Sequence, residues 1–335
     1  MTSSPNSTPG PAPADSLPPV EPPSAGFIVQ LFVIPAVIVT IIVIVWGLFN
    51  WLAHMGNDPR DYVQALRRNN ESRWQEAVNL ANELQKTGND ALKQDAVLAG
   101  ELATLLDEEI ETGGYEEKQV TLRVYLCRVL GEFHVPGVVP TLLKAARTNR
   151  DERESVVRLA ALQGLARLIP TLDTKTLQSD AALRETLLTL SQESDPVVRY
   201  HAAYDLGVLG GEPALARLKT LLEDSDVDVR MNAATGLARH GDASCVPVLV
   251  TMIDPADPGL PAGMKEGWNR DGKALTVRWN ALEAVLQLSQ QSASNDLAPL
   301  SAAVDKLIQS EPQADIRAKA EEVRQALAKR TAAAK

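Results

Sequence analysis

The chain has 335 residues, of which 4% are aromatic, and its formal net charge is −10. Few aromatic residues, with many Ala and Leu, favour packed helices over a β-sandwich. The acidic balance argues against a nucleic-acid partner, because neutralising phosphates requires clustered Lys and Arg. The two cysteines, Cys127 and Cys245, lie in apolar helical patterns without metal-ligand spacing, so we interpret both as buried reduced thiols.

The first 53 residues divide into a tail and a membrane span. Residues 1–26 are rich in Pro, Ser and Thr, have no apolar periodicity, and are predicted to be disordered. Residues 27–53 are apolar on every face and contain no charge, and a helix of this length spans about 40 Å against a hydrocarbon core of roughly 30 Å. We therefore predict one transmembrane helix over 27–53 and a lipid bilayer as its partner.

The charges flanking the span predict its orientation. The tail has no basic residue, whereas Arg60, Arg67, Arg68 and Arg73 follow the span within about 20 residues. The positive-inside rule places the short N-terminal tail outside and the C-terminal domain in the cytoplasm.

Residues 58–112 have helical periodicity but match the later pattern poorly. Trp74, Ala77, Leu80, Ala81 and Leu84 follow the spacing of an amphipathic helix. We predict that this block forms an irregular helical cap on the first regular repeat.

An internal repeat follows over 116–330. The segment from Asp195 to Arg199 recurs 31 residues later from Asp226 to Arg230, and both copies are followed by two alanines and a leucine. Because one helix pair cannot bury both of its apolar stripes, several units must stack. Looser copies extend the alignment to six arginines, separated by 35, 41, 31, 48 and 39 residues: Arg123, Arg158, Arg199, Arg230, Arg278 and Arg317.

These residues resemble HEAT-like repeats, particularly the short bacterial form also found in phycobilin lyases, over roughly Glu116 to Leu327. Asp195 and Asp226 stand where a helix begins, and an Asp side chain can accept hydrogen bonds from the free N–H groups there. The resemblance implies an all-α, right-handed solenoid of helix pairs. It also implies that the Asp and Arg columns form a structural ladder between repeats; ligand binding by the arginines is the alternative. With its span, the chain is similar to membrane-anchored HEAT proteins of bacteria.

Two insertions interrupt the 31-residue period. About ten extra residues fall near Pro170 to Ser179, and about 17 fall in Asp254 to Lys273. Loops on a rigid scaffold often carry function, so Lys265, Trp268 and Arg270 are candidate partner-binding residues. The alternative is a tolerated surface loop with Trp268 folded back onto the stack.

A second candidate surface lies on the second helices of the repeats. Thr189, Thr220 and Thr251 recur at 31-residue intervals on the side opposite the leucine rows, with Arg217 and Lys219 nearby. Stacked helix pairs form a long curved face, and this column is a candidate lining of it. The alternative is that these positions are ordinary exposed residues.

No catalytic motif is evident in the sequence. The chain lacks the His-Glu pairs that hold iron in the HEAT-like deoxyhypusine hydroxylases, and it has neither a Walker A loop nor a G-x-S-x-G motif. We expect no cofactor, no metal and no enzymatic activity. The leading hypothesis is a membrane-anchored scaffold or adaptor that binds protein partners; the alternatives are an accessory or assembly subunit of a membrane enzyme or transporter, and a phycobilin-lyase-like enzyme.

Overall fold

A computed structural model describes residues 24–54, 59–68, 72–86, 88–260, 264, 268–291 and 296–333. The chain divides into two units, residues 1–57 and residues 58–335. Residues 1–23 of the predicted tail lie outside the described residues, and so does Lys265.

The first unit is helical from Ala25 onward. It contains α1 (Ala25–Ile28), a π-helical segment (Val29–Val33) and α2 (Ile34–His54). The π-helical segment ends two residues before Pro35, whose missing N–H leaves the Leu31 carbonyl without its α-helical donor. By length and composition, the stretch Val29–Phe49 is able to cross a membrane, and none of its residues is buried within the protein.

Helices also make up the second unit, and no strand occurs among its described residues. The helices before the regular repeats are α3 (Pro59–Arg67), α4 (Arg73–Gln85), α5 (Asp90–Lys93) and α6 (Ala96–Thr112). Those that follow are α7 (Glu117–Leu130), α8 (Val139–Arg147), α9 (Ser155–Leu168), α10 (Thr174–Ser179), α11 (Ala181–Leu190), α12 (Pro196–Leu209), α13 (Glu212–Leu221), α14 (Val227–Arg239), α15 (Val246–Ile253), α16 (Trp268–Gln291), α17 (Ala298–Ser310) and α18 (Ala314–Ala333).

These helices stack in two layers, which confirms the predicted all-α solenoid. In the first layer each helix packs on the next, in the order α4, α7, α9, α12, α14, α16 and α18. In the second layer α6 packs on α8, α8 on α11, α11 on α13, and α15 on α17. The aligned leucines Leu187, Leu218 and Leu249 are fully buried between the layers, as expected of a stack that shares one continuous core.

The block over 58–112 continues both layers. Helix α4 packs on α7 in the first layer, α6 packs on α8 in the second, and α3 contacts both α4 and α6. Asp95 begins α6 by accepting hydrogen bonds from the N–H groups of Val97 and Leu98. This block thus departs from the repeat pattern in its sequence, whereas its helices pack much as those of the regular repeats do.

The first-layer helices approach each other closely at glycine. A Cβ atom added to Gly207 of α12 would lie 2.7 Å from the Cα atom of Gly236 on α14. A side chain at either position would therefore push the two helices apart. Further along α12, Gly210 follows the last helical residue with a φ of 68°, a conformation that glycine adopts at little cost.

The two insertions form structure of different kinds. The first forms the short helix α10, from which the Gln178 amide donates to the Leu209 carbonyl at the end of α12 (2.8 Å). The second is a loop only in its first part, because α16 already begins at Trp268, ten residues before the aligned Arg278. The expectation of a loop up to Lys273 was therefore wrong, since the insertion has no proline after Pro261 and Asp271 favours the first helical turn.

Candidate functional site

Four of the six aligned arginines join their repeat to the next through an ion pair. The Arg199 guanidinium donates to both carboxylate oxygens of Asp224 (2.8 and 2.9 Å), and its Nη1 donates to the Glu193 and Ser194 carbonyls (both 2.9 Å). This bidentate ion pair is largely shielded from water. The Arg199 hydrogen bond lowers the pKa of Asp224. The equivalent pairs are Arg123–Glu154 (3.4 Å), Arg158–Glu193 (3.0 Å) and Arg278–Glu311 (3.3 Å).

Two arginines of the column differ from the others. Arg230 donates to the Asp224 and Ser225 carbonyls, and Arg317 to the Glu311 and Pro312 carbonyls. Neither has a carboxylate partner among the described residues. Arg317 belongs to the last helix, and the repeat of Arg230 is followed by the long insertion.

The aspartates of the repeat motif have a separate role. Asp195 accepts from the Val197 N–H (2.8 Å), and Asp226 accepts from the N–H groups of Asp228 and Val229 (2.9 and 3.2 Å). Both therefore cap the start of a first-layer helix. The ladder implied by the family resemblance is formed in the structure by the arginines and a different set of acids, in the turns between repeats.

The threonine column of the second layer is exposed. The hydroxyls of Thr189, Thr220 and Thr251 each donate to the carbonyl four residues earlier, at 2.9, 3.4 and 3.2 Å. The neighbouring cations are engaged within the stack: Arg217 donates to the hydroxyl and the carbonyl of Ser191 (2.8 and 2.7 Å), and Lys219 pairs with Asp242 (2.8 Å). The threonine hydroxyls and the two cations thus all have partners within the stack.

The long insertion forms one side of a cleft of about 420 Å³. Its walls come from the loop at Pro255–Leu260, the first half of α16, and the turn between α17 and α18. Arg270 lines this cleft and lies 3.9 Å from Asp257, whereas Arg278 closes its inner end by donating to the Pro255 carbonyl (2.8 Å). Of the three residues predicted in this insertion, Trp268 begins α16 and Arg270 faces the cleft.

A smaller groove of about 240 Å³ crosses the first layer over α12, α14 and α16. It is lined by hydrogen-bonding side chains at equivalent repeat positions, among them Tyr204, Asn232, Arg239, Asn280 and Gln287. The Asn232 amide donates to the Tyr200 carbonyl (3.0 Å), and Arg239 lies 6.0 Å from the Tyr204 ring centre. The groove was not predicted because its lining comes from three separate helices, although Asn232 and Asn280 both stand two residues after an aligned arginine.

A buried carboxyl group in α12 was also missed. Asp205 is completely buried, and neither of its carboxylate oxygens has a hydrogen-bond partner. Burial alone raises the pKa of Asp205 well above its ordinary value. The aligned positions in the flanking repeats are Gly164 and Gly236, so a comparison of the repeats is the signal that could have found it.

Among the described residues no group of three or more His, Cys, Asp or Glu side chains is arranged to hold a metal ion. Cys127 and Cys245 are buried free thiols, and burial raises the pKa of each to about 12. Both groups are therefore protonated at neutral pH, and neither is an activated nucleophile.

The fold defines an α-solenoid of the kind built from stacked helix pairs. A family model described as HEAT repeats matches residues 183–260, which contain the two most regular units and Arg199 and Arg230. No curated protein sequence matches the chain.

Several solved structures match the chain at low sequence identity. The CpcE–CpcF complex of phycocyanin lyase from Nostoc sp. PCC7120 is 18% identical, with a TM-score of 0.47, covering 81% of this chain and 95% of that chain. A designed armadillo repeat protein in complex with the peptide (KR)4 is 15% identical, with a TM-score of 0.38, covering 81% and 100%. Human deoxyhypusine hydroxylase in complex with glycerol is 16% identical, with a TM-score of 0.29, covering 81% and 96%.

Proposed function

We propose that this protein is a membrane-anchored scaffold or adaptor that presents an α-solenoid to protein partners in the cytoplasm. The observation that carries the proposal is the combination of an apolar helix with a stack of helix pairs whose polar motif residues are engaged in holding the stack together. The polar residues that recur between repeats thereby have structural roles, and the exposed faces remain for recognition.

The anchoring part rests on the composition of Val29–Phe49. Every large apolar side chain described there is exposed, and water-exposed apolar area of this extent is unfavourable at about 25 cal/mol per Å². A bilayer removes that area from water. The arginines at positions 60, 67, 68 and 73 support placing the solenoid on the cytoplasmic side.

The recognition part rests on the surfaces of the solenoid. The cleft at the insertion, the groove on the first layer and the threonine column are each formed by more than one repeat. Residues 54–335 contain 33 basic and 41 acidic residues, a net charge of −8, which favours partners with basic surfaces. The charged side chains of the ladder pair with one another inside the stack. The partner is therefore recognised through the shape of the solenoid surface and through the polar groups that remain free on it.

Affinity purification of the full chain from detergent extracts tests the proposal. Reproducible recovery of the same protein partner from the membrane fraction is the expected result, and a chain recovered alone in repeated preparations argues against it. Added protease should digest the solenoid only after the cells are opened. Digestion of the solenoid in intact cells would overturn the proposed orientation.

A second candidate function is that of an accessory or assembly subunit that docks through the span itself. The observation in its favour is the line of Ala36, Thr40 and Gly47 on one face of α2, since small residues allow close helix packing in a membrane. Replacing the span with an unrelated apolar helix distinguishes the two functions. Loss of the partner after the exchange supports docking through the span, and retention supports recognition by the solenoid.

A further inference from the structure

Among the described residues, one junction of the first layer lacks its ladder ion pair. The four ladder pairs cross from α7 to α9, from α9 to α12, from α12 to α14 and from α16 to α18. Arg230 of α14 is the arginine that would reach towards α16, but its guanidinium donates to the Asp224 and Ser225 carbonyls of its own turn. In the part of the chain that the structure describes, the ladder is therefore interrupted between α14 and α16.

The sequence explains this interruption. In the turns before α12, α14 and α18, the ladder acid stands six residues before the aligned arginine. Six residues before Arg278 stands Gly272, which has no side chain to carry a charge. Gly272 also lies inside α16, because this helix begins at Trp268 and leaves no turn at that position.

A different ion pair joins α14 to α16. Lys273 of α16 donates to Asp228 in the first turn of α14 (2.6 Å), and the two side chains are 28% and 31% exposed. The exposed fractions of Arg199 and Asp224 at the preceding junction are 13% and 9%. An exposed lysine pair lacks bidentate geometry and is screened by salt, so it holds two helices less firmly than a shielded arginine pair.

The glycine contact of the preceding junction does not recur here. Gly207 meets Gly236 between α12 and α14, whereas the corresponding residues between α14 and α16 are Ala238 and Ala284. The close backbone approach that glycine allows is therefore replaced by contact through methyl groups.

The second layer is held together at the same junction. Helix α15 packs on α17, and Lys306 of α17 pairs with Asp254 directly after α15 (2.9 Å). Arg278 donates to the Pro255 carbonyl in the same turn (2.8 Å). One side of the junction thus has several contacts, whereas the other side depends on a single exposed ion pair and apolar packing.

We infer that the solenoid bends at this junction, with the first layer opening between α14 and α16 about a pivot where α15 packs on α17. Helices α16, α17 and α18 move together, because the Arg278–Glu311 pair joins α16 to α18 and α17 packs on α18. Motion about a few residues between internally rigid bodies is a common form of conformational change. The inference concerns movement within the solenoid and does not depend on the scaffold function.

Bending at this junction changes the width of the first-layer groove of about 240 Å³. The groove crosses the junction, with Asn232 and Arg239 on α14 and Asn280 and Gln287 on α16. Opening the first layer moves the side chains of the two helices apart, and closing it brings them together. The hinge therefore determines the size of the ligand or partner segment that the groove admits.

Double electron–electron resonance on the full chain in detergent tests the hinge, because it measures the distribution of distances between two spin labels. One pair of labels, at Tyr204→Cys and Glu322→Cys, lies on α12 and α18 and spans the junction. The control pair, at Arg128→Cys and Thr235→Cys, lies on α7 and α14 and does not. All four positions stand five residues after an aligned arginine, and each pair spans three helix steps, or about 25–30 Å.

The native thiols do not interfere with labelling. Cys127 and Cys245 are buried, and burial raises the pKa of each to about 12. Both therefore remain unlabelled in the folded chain.

Salt is the perturbation that separates the two pairs of labels. Raising the salt concentration from about 0.05 M to about 0.5 M screens the exposed Lys273–Asp228 pair. A bend of about 15° acting over about 20 Å should then lengthen the mean distance from Tyr204 to Glu322 by about 5 Å. The distance from Arg128 to Thr235 should stay within about 1 Å, because shielded arginine pairs cross each of its junctions.

Two lysine variants complete the design. Lys273→Gln should give the longer distance already at low salt and respond little to added salt. Lys219→Gln removes an equally exposed kind of pair, with Asp242, at the preceding junction, where the Arg199 pair remains. It should therefore leave both distances as they are in the parent.

Equal salt responses of the two label pairs would overturn the inference, since the whole array would then loosen or stay rigid together. The same conclusion follows if Lys273→Gln and Lys219→Gln behave alike. Circular dichroism at both salt concentrations should show unchanged helix content, and a loss of helix would assign the longer distance to unfolding instead of bending. If Lys273→Gln does not fold, the salt comparison on the labelled parent chain still decides.

Discussion

The buried carboxyl of Asp205 should make the solenoid less stable as the pH rises. Its pKa is raised by burial in the folded chain, so the folded state retains a proton that the unfolded state releases above a pH of about 4. The stabilising effect of the bound proton is complete below that pH and is lost as the pH rises towards the raised folded pKa. Across this interval stability falls by about 1.4 kcal/mol per pH unit.

Asp205→Asn removes the titration while keeping the shape of the side chain. The buried amide is also without a partner, but its cost does not depend on pH, so the diagnostic quantity is the slope and not the absolute stability. Thermal midpoints at pH 4, 5, 6 and 7, measured by circular dichroism on the full chain, should fall with pH for the parent relative to this variant. Asp315→Asn, at an exposed carboxylate on α18, serves as the control and should follow the parent. Parallel pH profiles for the parent and Asp205→Asn would refute the reasoning.

Three other experiments test the stack. Gly207→Ala should lower the free energy of unfolding by about 1–3 kcal/mol, because the added methyl group pushes α12 away from α14. Gly100→Ala, which has open space around it, should raise that free energy by about 1 kcal/mol by stabilising α6. Urea titration compares the two variants, and equal effects would contradict the close approach of α12 and α14. Arg199→Gln should lower the free energy of unfolding by about 2 kcal/mol more than Arg230→Gln does, because of these two arginines only Arg199 has a carboxylate partner besides its backbone carbonyls. Equal unfolding midpoints for the two variants would show that the ion pair adds no stability. A thiol-specific chromogenic disulfide should react rapidly with no thiol of the native chain and with two thiols in urea, because burial raises the pKa of Cys127 and of Cys245 to about 12. A fast reaction of the native chain would show that the two cysteines are not buried.

The stacking of helix pairs was predictable from the sequence because it depends on a repeated pattern. Paired alanines, rows of leucine and aspartates at helix starts recur at fixed spacing, and each of these has a local physical reason to recur. The predicted all-α solenoid is confirmed on these grounds. The assignment of partner-binding roles to the threonine column and the insertion remains a prediction.

The pairing of the acids in the ladder was less predictable than their positions. Glu193, Asp224 and Glu311 each stand six residues before an aligned arginine and Glu154 stands four before one, but each pairs with the arginine of the preceding repeat. Aligning the repeats therefore locates these acids without showing which arginine each one contacts. Only the folded geometry shows which carboxylate each arginine reaches.

The cleft likewise depends on contacts between distant segments. Its walls come from the loop at Pro255–Leu260, from α16 and from the turn at Glu311–Gln313, and no short window of sequence contains all three. The asparagines and the tyrosine of the first-layer groove are separated in the same manner. Patterns of hydrophobic spacing report which face of a helix is buried, and they carry no information about the shape of the exposed surface.

Site-specific photo-cross-linking in intact cells tests whether the chain is a membrane-anchored solenoid that binds protein partners. A photoreactive residue at Leu275, in the wall of the cleft, is activated before membranes are collected and washed with alkaline carbonate. We expect a reproducible covalent adduct with one protein, retained in the washed membrane pellet. An adduct released by the wash would contradict the anchor, and the absence of any adduct at Leu275, Thr220 and Tyr204 alike would contradict the scaffold.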